Sequence, residues 1–118
     1  MNINDIKKVP KPWGHEIWWA QTDKYVGKIL HVKKGQSLSY QYHELKDETI
    51  YLYSGDMLLQ IEEVGKTKEE IMLSPGESVR IKPLTKHRMI AKKDCDLLEV
   101  STPEVEDIVR LEDKYGRV

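Results

Sequence analysis

Residues 35–48 read GQSLSYQYHELKDE, and this stretch carries most of what the sequence says about fold and site. Gln41 and His43 lie two positions apart, so on a β-strand both side chains leave the same face. Glu48 follows after a gap that suits a turn, and His87 comes from a distant segment. An amide oxygen, two imidazoles and a carboxylate make a mixed nitrogen and oxygen shell that suits a divalent transition metal and leaves a position open. We therefore predict that Gln41, His43, Glu48 and His87 are metal ligands.

Each predicted ligand also has an ordinary structural interpretation. Two histidines can be solvated or satisfied within a core, but that does not explain Glu48 at its spacing. Glu48 could be one more surface charge of residues 44–48, and the amide of Gln41 could orient a bound water instead of the metal. For the metal itself, the donor set favours zinc first, with manganese, iron, nickel and cobalt as alternatives.

Short strand-like segments separated by turn signals recur along the chain and predict an all-β sandwich or barrel. Turns are expected at Ser54-Gly55-Asp56 and at Ser74-Pro75-Gly76-Glu77. Residues 102–113 are ambiguous, because Thr102 could cap a helical turn or the segment could be an extended tail. The predicted strands are 16–20, 26–32, 38–43, 49–53, 57–63, 70–73, 78–81, 87–91 and 97–101.

The composition is that of an ordinary small domain and excludes several classes of function. The 118 residues suit one domain, 1–118. Lys and Arg number 19 against 20 Asp and Glu, so the chain lacks the electrostatic footprint of a nucleic-acid-binding protein. No apolar stretch approaches the roughly 20 residues of a membrane helix, and no signal peptide opens the chain. With the single Cys95, which cannot form an internal disulfide, these features predict a cytoplasmic protein without membrane or nucleic-acid partners.

The spacing of the candidate ligands resembles the first motif of the cupins, written G-x5-H-x-H-x4-E-x6-G. Gly35, His43, Glu48 and Gly55 keep their places, and Gln41 replaces the first histidine. The resemblance implies the double-stranded β-helix, or jelly roll, that cupins use, with a short helical or extended tail at its C-terminal end.

The second cupin motif, G-x5-P-x-G-x2-H-x3-N, is matched less well. Gly76 and His87 keep their separation, but residues 82–84 read KPL in place of Pro-x-Gly, and Ala91 stands where Asn is usual. The strand and the ligand are therefore expected as in other cupins, while the shape of the turn at 82–84 is left open.

Further motifs resemble the C-terminal cupin domain of type II phosphomannose isomerase/mannose-1-phosphate guanylyltransferase enzymes. The chain has no nucleotidyltransferase domain, so the resemblance implies isomerase activity on mannose 6-phosphate and fructose 6-phosphate, without guanylyltransferase activity. The matching segments are KPWG at 11–14, LSYQYH at 38–43, HR at 87–88, LEV at 98–100 and EDIVRLEDKYGR at 106–117.

An aldose–ketose isomerase must move a proton between two carbon atoms, and Glu99 and Lys28 are the candidate catalytic residues. Lys28 shares strand parity with Leu30, so it is expected to point into the barrel, where a lysine usually needs a functional reason. Ser39 has the parity of Gln41 and His43 and is expected to line the substrate pocket.

A phosphorylated substrate would need cationic partners, and the candidates are Arg88, Arg110 and Arg117. Arg88 directly follows a predicted ligand, so on a regular strand it would point away from the metal. A structural ion pair, for example with Glu99, is an equal alternative for Arg88, and tail–barrel salt bridges are alternatives for the other two.

Two rival functions remain open from the sequence. One is a non-catalytic cupin that only binds a sugar or a metal, and the other is an oxygen-using cupin with iron. Small cupins expose sheet edges, and the segment through Trp18 and Trp19 is apolar, so we also predict a homodimer.

Overall fold

The chain folds into two antiparallel β-sheets that enclose one core. The computed structural model describes residues 2–118, and within these residues it has eleven strands and no helix. The strands are β1 (Lys7–Lys11), β2 (Gly14–Gln21), β3 (Val26–Val32), β4 (Tyr40–Tyr42), β5 (Glu48–Ser54), β6 (Met57–Glu62), β7 (Glu69–Leu73), β8 (Ser78–Ile81), β9 (Lys86–Ala91), β10 (Cys95–Ser101) and β11 (Val109–Glu112). This is the all-β fold that the strand pattern predicts and the jelly roll that the resemblance to cupins implies.

The strands interleave so that each sheet takes segments from distant parts of the chain. The larger sheet has the order β1-β2-β3-β10-β5-β8, and the smaller sheet has the order β11-β4-β9-β6-β7. Residues on the inner faces alternate with outward-facing ones, as the period of a strand requires. The core between the sheets is apolar and includes Leu30, Ile50, Leu52, Leu59, Met89 and Leu97.

The inner face of the larger sheet changes from apolar to polar along its length. On β10, the buried Cys95 and Leu97 are followed by the buried Glu99 and Ser101. On β3, Leu30 and Val32 lie at the apolar end, and Lys28 lies at the polar end. The space between the sheets is therefore a hydrophobic core at one end and a polar cavity at the other.

All nine predicted strands are present, most with ends within one or two residues of the prediction. The strand predicted at 38–43 is shorter, since regular pairing covers only Tyr40–Tyr42. β1 and β11 were not predicted as strands. The helical alternative for residues 102–113 is wrong: turns at residues 103–106 lead into the extended β11, which pairs with β4.

Two turns contain positions where the cupin motifs have glycine, and in both turns the residue at that position has a positive φ. Gly55 has φ of 100° in the β5–β6 hairpin, and a Cβ there would lie 2.4 Å from the carbonyl oxygen of Asp94, so only glycine fits. Leu84 stands where the second cupin motif has glycine, and it adopts φ of 69°. Its backbone N–H donates to the carbonyl oxygen of His43 at 2.7 Å. The turn thus keeps a left-handed residue despite the substitution.

Candidate metal centre

The four predicted ligands come from three strands that meet at the polar end of the molecule. Gln41 lies on β4 and pairs directly with His87 on β9. His43 follows the end of β4, and Glu48 begins β5. One ligand atom from each of His43, Glu48 and His87 lies within 4.8 Å of the others, and all four side chains are buried.

Both imidazoles are oriented by backbone carbonyl groups. The Nδ1 of His43 lies 2.5 Å from the carbonyl oxygen of Asp107, and the Nδ1 of His87 lies 2.9 Å from that of Thr85. A carbonyl only accepts, so Nδ1 carries the proton in each ring and Nε2 is left with its lone pair. Both Nε2 atoms face Glu48, at 3.6 Å for His43 and 3.4 Å for His87. This is the arrangement that metal-binding histidines usually have.

The protonation states also suit a metal centre. Burial lowers the pKa of His43, more than the nearby Glu48 charge raises it, so this imidazole is neutral at pH 7. Burial alone would raise the pKa of Glu48, but the positive charge of Lys46, whose Nζ lies 2.9 Å from Oε2 of Glu48, lowers it. The net pKa of Glu48 lies below its usual range, and its carboxylate is ionised.

Within residues 2–118, three buried atoms of the predicted ligands lack a hydrogen-bond partner: Oε1 of Gln41, Nε2 of His87 and Oε2 of Glu48. Oε2 of Glu48 has the ammonium group of Lys46 beside it, which leaves the atoms of Gln41 and His87 uncompensated. A buried polar atom without a partner is costly, and native proteins rarely keep one without a reason. Since both atoms are electron-pair donors beside His43 and Glu48, a bound cation would satisfy them together. The donors therefore fit a transition metal.

Lys46 is a residue of the site that the sequence did not predict. Its Nζ lies 2.9 Å from Oε2 of Glu48 and 3.2 Å from Oε2 of Glu99, and its side chain is buried. Burial would lower the pKa of Lys46, but the two carboxylates raise it well above its usual value. In the sequence, Lys46 stands among charged residues of a turn, and nothing there separates it from a solvated lysine.

Both predicted catalytic residues line the same cavity as Gln41, His43 and Glu48. Glu99 and Lys28 pair across β10 and β3. Burial, helped by the charge of Glu48, raises the pKa of Glu99 against the opposing charges of Lys46 and Lys28. Nζ of Lys28 lies 3.5 Å from Oε1 of Glu16 and 4.1 Å from the ring centre of Trp18.

Cationic side chains line the part of this cavity nearer to solvent. Arg110 pairs with Gln41 across β11 and β4, and its Nε is buried without a hydrogen-bond partner in the described part of the chain. Arg117 also lines the cavity, but its guanidinium is held by both carboxylate oxygens of Asp113, at 2.8 and 3.0 Å. Lys11, which the sequence analysis did not select, lies with them. Its pKa is lowered, mainly by burial, and the charges of Lys28, Arg117 and Arg110 lower it further against Glu16.

The two remaining predicted substrate residues have different positions. Ser39 is buried and lines the cavity beside the ligands. Arg88 does not line it, and its side chain points away as strand parity indicates. Its Nη2 donates to the backbone oxygen of Glu112 at 3.0 Å, and its guanidinium lies over the ring of Tyr40. The structural alternative for Arg88 fits this position, with Glu112 rather than Glu99 as the partner.

A cavity lined by histidine and glutamate at one end of a jelly roll is typical of cupins, and the comparison with protein families gives the same class. The model of the cupin domain family matches residues 28–101, and the chain belongs to that family. Solved structures with this fold include KdgF from Halomonas sp., with a TM-score of 0.73, 22% identity and 87% of this chain and 91% of that chain covered. Oxalate decarboxylase from Bacillus subtilis has a TM-score of 0.81 at 12% identity, over 94% of this chain and 31% of that chain.

Relatives with similar sequences show which members of the cupin family this chain resembles. The mannose-1-phosphate guanylyltransferase ManC of Salmonella typhimurium is 33% identical over 117 residues, which are 95% of this chain and 23% of the relative. The xanthan biosynthesis protein XanB of Xanthomonas campestris pv. campestris is 32% identical over 116 residues, 94% of this chain and 24% of the relative. The chain therefore spans about a quarter of the length of these relatives, and it is homologous to their cupin region. Within residues 2–118, no helix is long and apolar enough to cross a membrane.

Proposed function

We propose that this cupin is a metal-dependent sugar-phosphate isomerase that interconverts mannose 6-phosphate and fructose 6-phosphate, or a close pair of the same class. One observation carries the proposal: a single cavity holds metal-type donors, a buried carboxyl group with a raised pKa, and cationic side chains nearer to solvent. An aldose–ketose exchange needs charge stabilisation, a proton carrier and a group that positions the phosphate.

Gln41, His43, Glu48 and His87 would hold the metal, with zinc as the first candidate and manganese, iron, nickel or cobalt as alternatives. When bound, the ion would act as a Lewis acid on the sugar oxygens and stabilise the negative charge of the enediolate. The protein keeps the donors ready, because the carbonyl groups of Asp107 and Thr85 hold both Nε2 lone pairs towards Glu48.

Glu99 is the group proposed to move the proton. Its carboxylate would remove the proton from C2 of the aldose, and the carboxylic acid would return it to C1, while the hydroxyl proton of O2 passes to O1, which gives the ketose. Burial raises the pKa of Glu99 towards the range where a carboxyl group can both accept and release a proton at neutral pH. Lys46 bridges Glu99 and Glu48, and Lys28 lies on the neighbouring strand, so either ammonium group can adjust the pKa of Glu99.

Arg110 is the residue best placed to bind the phosphate. Its Nε is buried and has no hydrogen-bond partner among residues 2–118, and the side chain lines the cavity that also contains Gln41, His43 and Glu48. Guanidinium groups bind phosphate oxygens through paired hydrogen bonds. Lys11 and Arg117 add positive charge beside it, which favours an anionic ligand over a neutral sugar.

The names of the relatives support the choice of sugar. Mannose 1-phosphate appears in the name of the Salmonella typhimurium protein, whose cupin region is homologous to this chain. A phosphorylated mannose is accordingly the first substrate to test.

A non-catalytic binding module is the rival proposal, and one observation favours it. Arg117 is engaged by Asp113, and Lys46 is engaged by Glu48 and Glu99, so several of the charged groups have partners within the protein. In that case the cavity would bind a sugar phosphate without turning it over.

A coupled assay on a panel of sugar phosphates tests the two proposals. Metal-loaded wild type should convert mannose 6-phosphate, chelation should abolish the activity, and added metal should restore it. Glu99→Gln should lower kcat by about 10²–10⁴-fold while keeping its metal, because it loses only the proton carrier. If the metal-loaded protein binds a sugar phosphate but converts none of the panel, the result would contradict the isomerase proposal and favour the binding module.

We also propose that the chain forms a homodimer. Ile3, Ile6, Trp19 and Tyr25 are exposed around β1, at one edge of the larger sheet. Trp18 is not available for such a contact, because it faces the cavity and its Nε1 donates to Glu16. The cytoplasmic location stays a prediction of the sequence.

A further inference from the structure

One tail residue, Asp107, contacts the loop between His43 and Glu48 from two sides. Its carboxylate accepts hydrogen bonds from the backbone N–H groups of Glu44 at 3.0 Å, Leu45 at 2.7 Å and Lys46 at 2.9 Å. Its backbone oxygen accepts the hydrogen bond from Nδ1 of His43. One residue that lies more than 60 positions away along the chain thus holds four consecutive residues of the ligand loop.

The far end of the same loop is held by the same part of the tail. The N–H of Asp47 donates to Oγ1 of Thr102 at 3.0 Å, and the N–H of Thr102 donates to the carbonyl oxygen of Asp47 at 3.0 Å. Loop 44–47 has no regular strand pairing, so its N–H groups would otherwise need water. Its conformation is therefore set by residues 102–107.

Loop 44–47 also positions residues of the candidate metal centre. It sets the separation between His43 and Glu48, and it places Lys46 against Glu48 and Glu99. A carboxylate that accepts several backbone N–H groups is a strong and directional anchor.

We propose that Asp107 is a positioning residue for the metal centre: its carboxylate fixes loop 44–46, and its carbonyl fixes the imidazole of His43. The proposal rests on the metal centre of the proposed function. It assigns to the tail a role in metal affinity that is separate from phosphate binding by Arg110. Partners of this kind usually change metal affinity by about 10–100-fold when they are removed.

The test is a titration of the metal-free protein with Co²⁺ in the presence of a competing chelator. Asp107→Ala should weaken Co²⁺ binding by about 10–100-fold and change the visible absorption of the bound Co²⁺, because the donors move. Asp107→Asn should weaken it less, since its amide oxygen still accepts hydrogen bonds. Glu106→Ala is the matched control, because Glu106 is the exposed neighbour, and it should behave as wild type.

A merely structural role would give a different result. It would lower the melting temperature of metal-free Asp107→Ala but leave the affinity and the Co²⁺ spectrum of the folded protein as in wild type, and that result overturns the proposal. If Asp107→Ala does not fold, Asp107→Asn decides in the same way: wild-type affinity and spectrum overturn the proposal. Failure of wild type to bind Co²⁺ would instead defeat the metal centre itself, and the proposal with it.

Discussion

Lys46 shows how this protein tolerates three buried ionisable groups at one place. Glu48 and Glu99 lie on neighbouring strands, and two buried carboxylates without compensation would repel each other. Lys46 places one positive charge between them, within ion-pair distance of both. Burial and the charge of Glu48 still raise the pKa of Glu99, so Glu99 takes up a proton more readily than Glu48, whose pKa is lowered.

The backbone of Leu84 is strained, and this strained turn contacts His43 of the same site. It adopts φ of 69°, where a side chain with a Cβ costs about 1–2 kcal/mol relative to glycine. The conformation is kept because the N–H of Leu84 bonds to the carbonyl oxygen of His43. The second cupin motif has glycine here, so the same backbone is reached in this chain with a more costly residue.

Replacing Leu84 with glycine should therefore stabilise the protein. Half of the Leu84 side chain is exposed, so little packing is lost. We expect Leu84→Gly to raise the free energy of unfolding by up to about 1 kcal/mol, after the added flexibility of the unfolded chain is subtracted. Urea denaturation measures it. The matched control is Leu111→Gly, a similarly exposed leucine on β11 without a positive φ, which should destabilise; equal losses in both variants would contradict the strain.

At the scale of elements, β11 and the turns before it form the outer support of the site. The segment pairs with β4, which carries Gln41, and it holds the loop that follows β4 through Asp107. Tyr115 then hydrogen-bonds to Gln36, and Lys114 donates to the carbonyl oxygen of Gly35, so the tail is fastened beyond the strand as well. The tail is thus part of the wall of the cavity.

Phosphate binding is the prediction that belongs to this element. Arg110→Ala should weaken the binding of mannose 6-phosphate by about 2 kcal/mol, or about 30-fold in Kd, because it removes charge-assisted hydrogen bonds to the phosphate. Mannose should be little affected, and metal content should not change. Calorimetric titration of both ligands measures this. Arg88→Ala is the matched control, since Arg88 lies outside the cavity; equal weakening of both sugars by Arg110→Ala would indicate a structural role instead.

The sequence predicted the regular elements better than the supporting ones. Strands with alternating burial were visible from their apolar periodicity. β1 reads KKVPK, which has little apolar periodicity and a proline, and β11 is a short VRLE within an ambiguous tail. Both are edge strands, formed by pairing with a neighbour rather than by their own pattern.

In the site, too, the sequence predicted the candidate ligands but not the residues that support them. Strand parity, which is a local rule, predicted that Gln41 and His43 share a face, and the resemblance to the cupin motifs added His87, which pairs with Gln41. The roles of Lys46 and Asp107 depend on contacts across more than 50 residues of sequence, and each stands among similar charged residues. Spacing alone cannot single them out.

At the scale of the whole molecule, four of the exposed apolar side chains lie in or next to the strands at one edge of the larger sheet: Ile3 and Ile6 before β1, Trp19 on β2 and Tyr25 before β3. The backbone edge of β1 is protected by lysines and Pro10, so we expect a neighbour to pack on the side chains of Ile6 and Trp19 rather than extend the sheet. A patch of this kind on a small domain is typical of a contact between subunits.

The protein should therefore be a dimer at micromolar concentration, and Ile6→Lys should shift it towards the monomer, because it places a charge in the contact. Light scattering coupled to gel filtration measures both. Val64→Lys, at an equally exposed apolar position on the β6–β7 turn, should remain dimeric. A monomeric wild type would contradict the homodimer.

The metal content of the purified protein tests the central claim most directly. Wild type should hold about one transition-metal ion per chain by elemental analysis, and His43→Ala or His87→Ala should lose it, since each removes one of only four protein donors. His31→Ala is the control, because His31 pairs with Asp96 away from the cavity and should keep its metal. Circular dichroism would establish that each variant is folded. Full metal content in both folded ligand variants, or a wild type that takes up no metal, would contradict the metal centre.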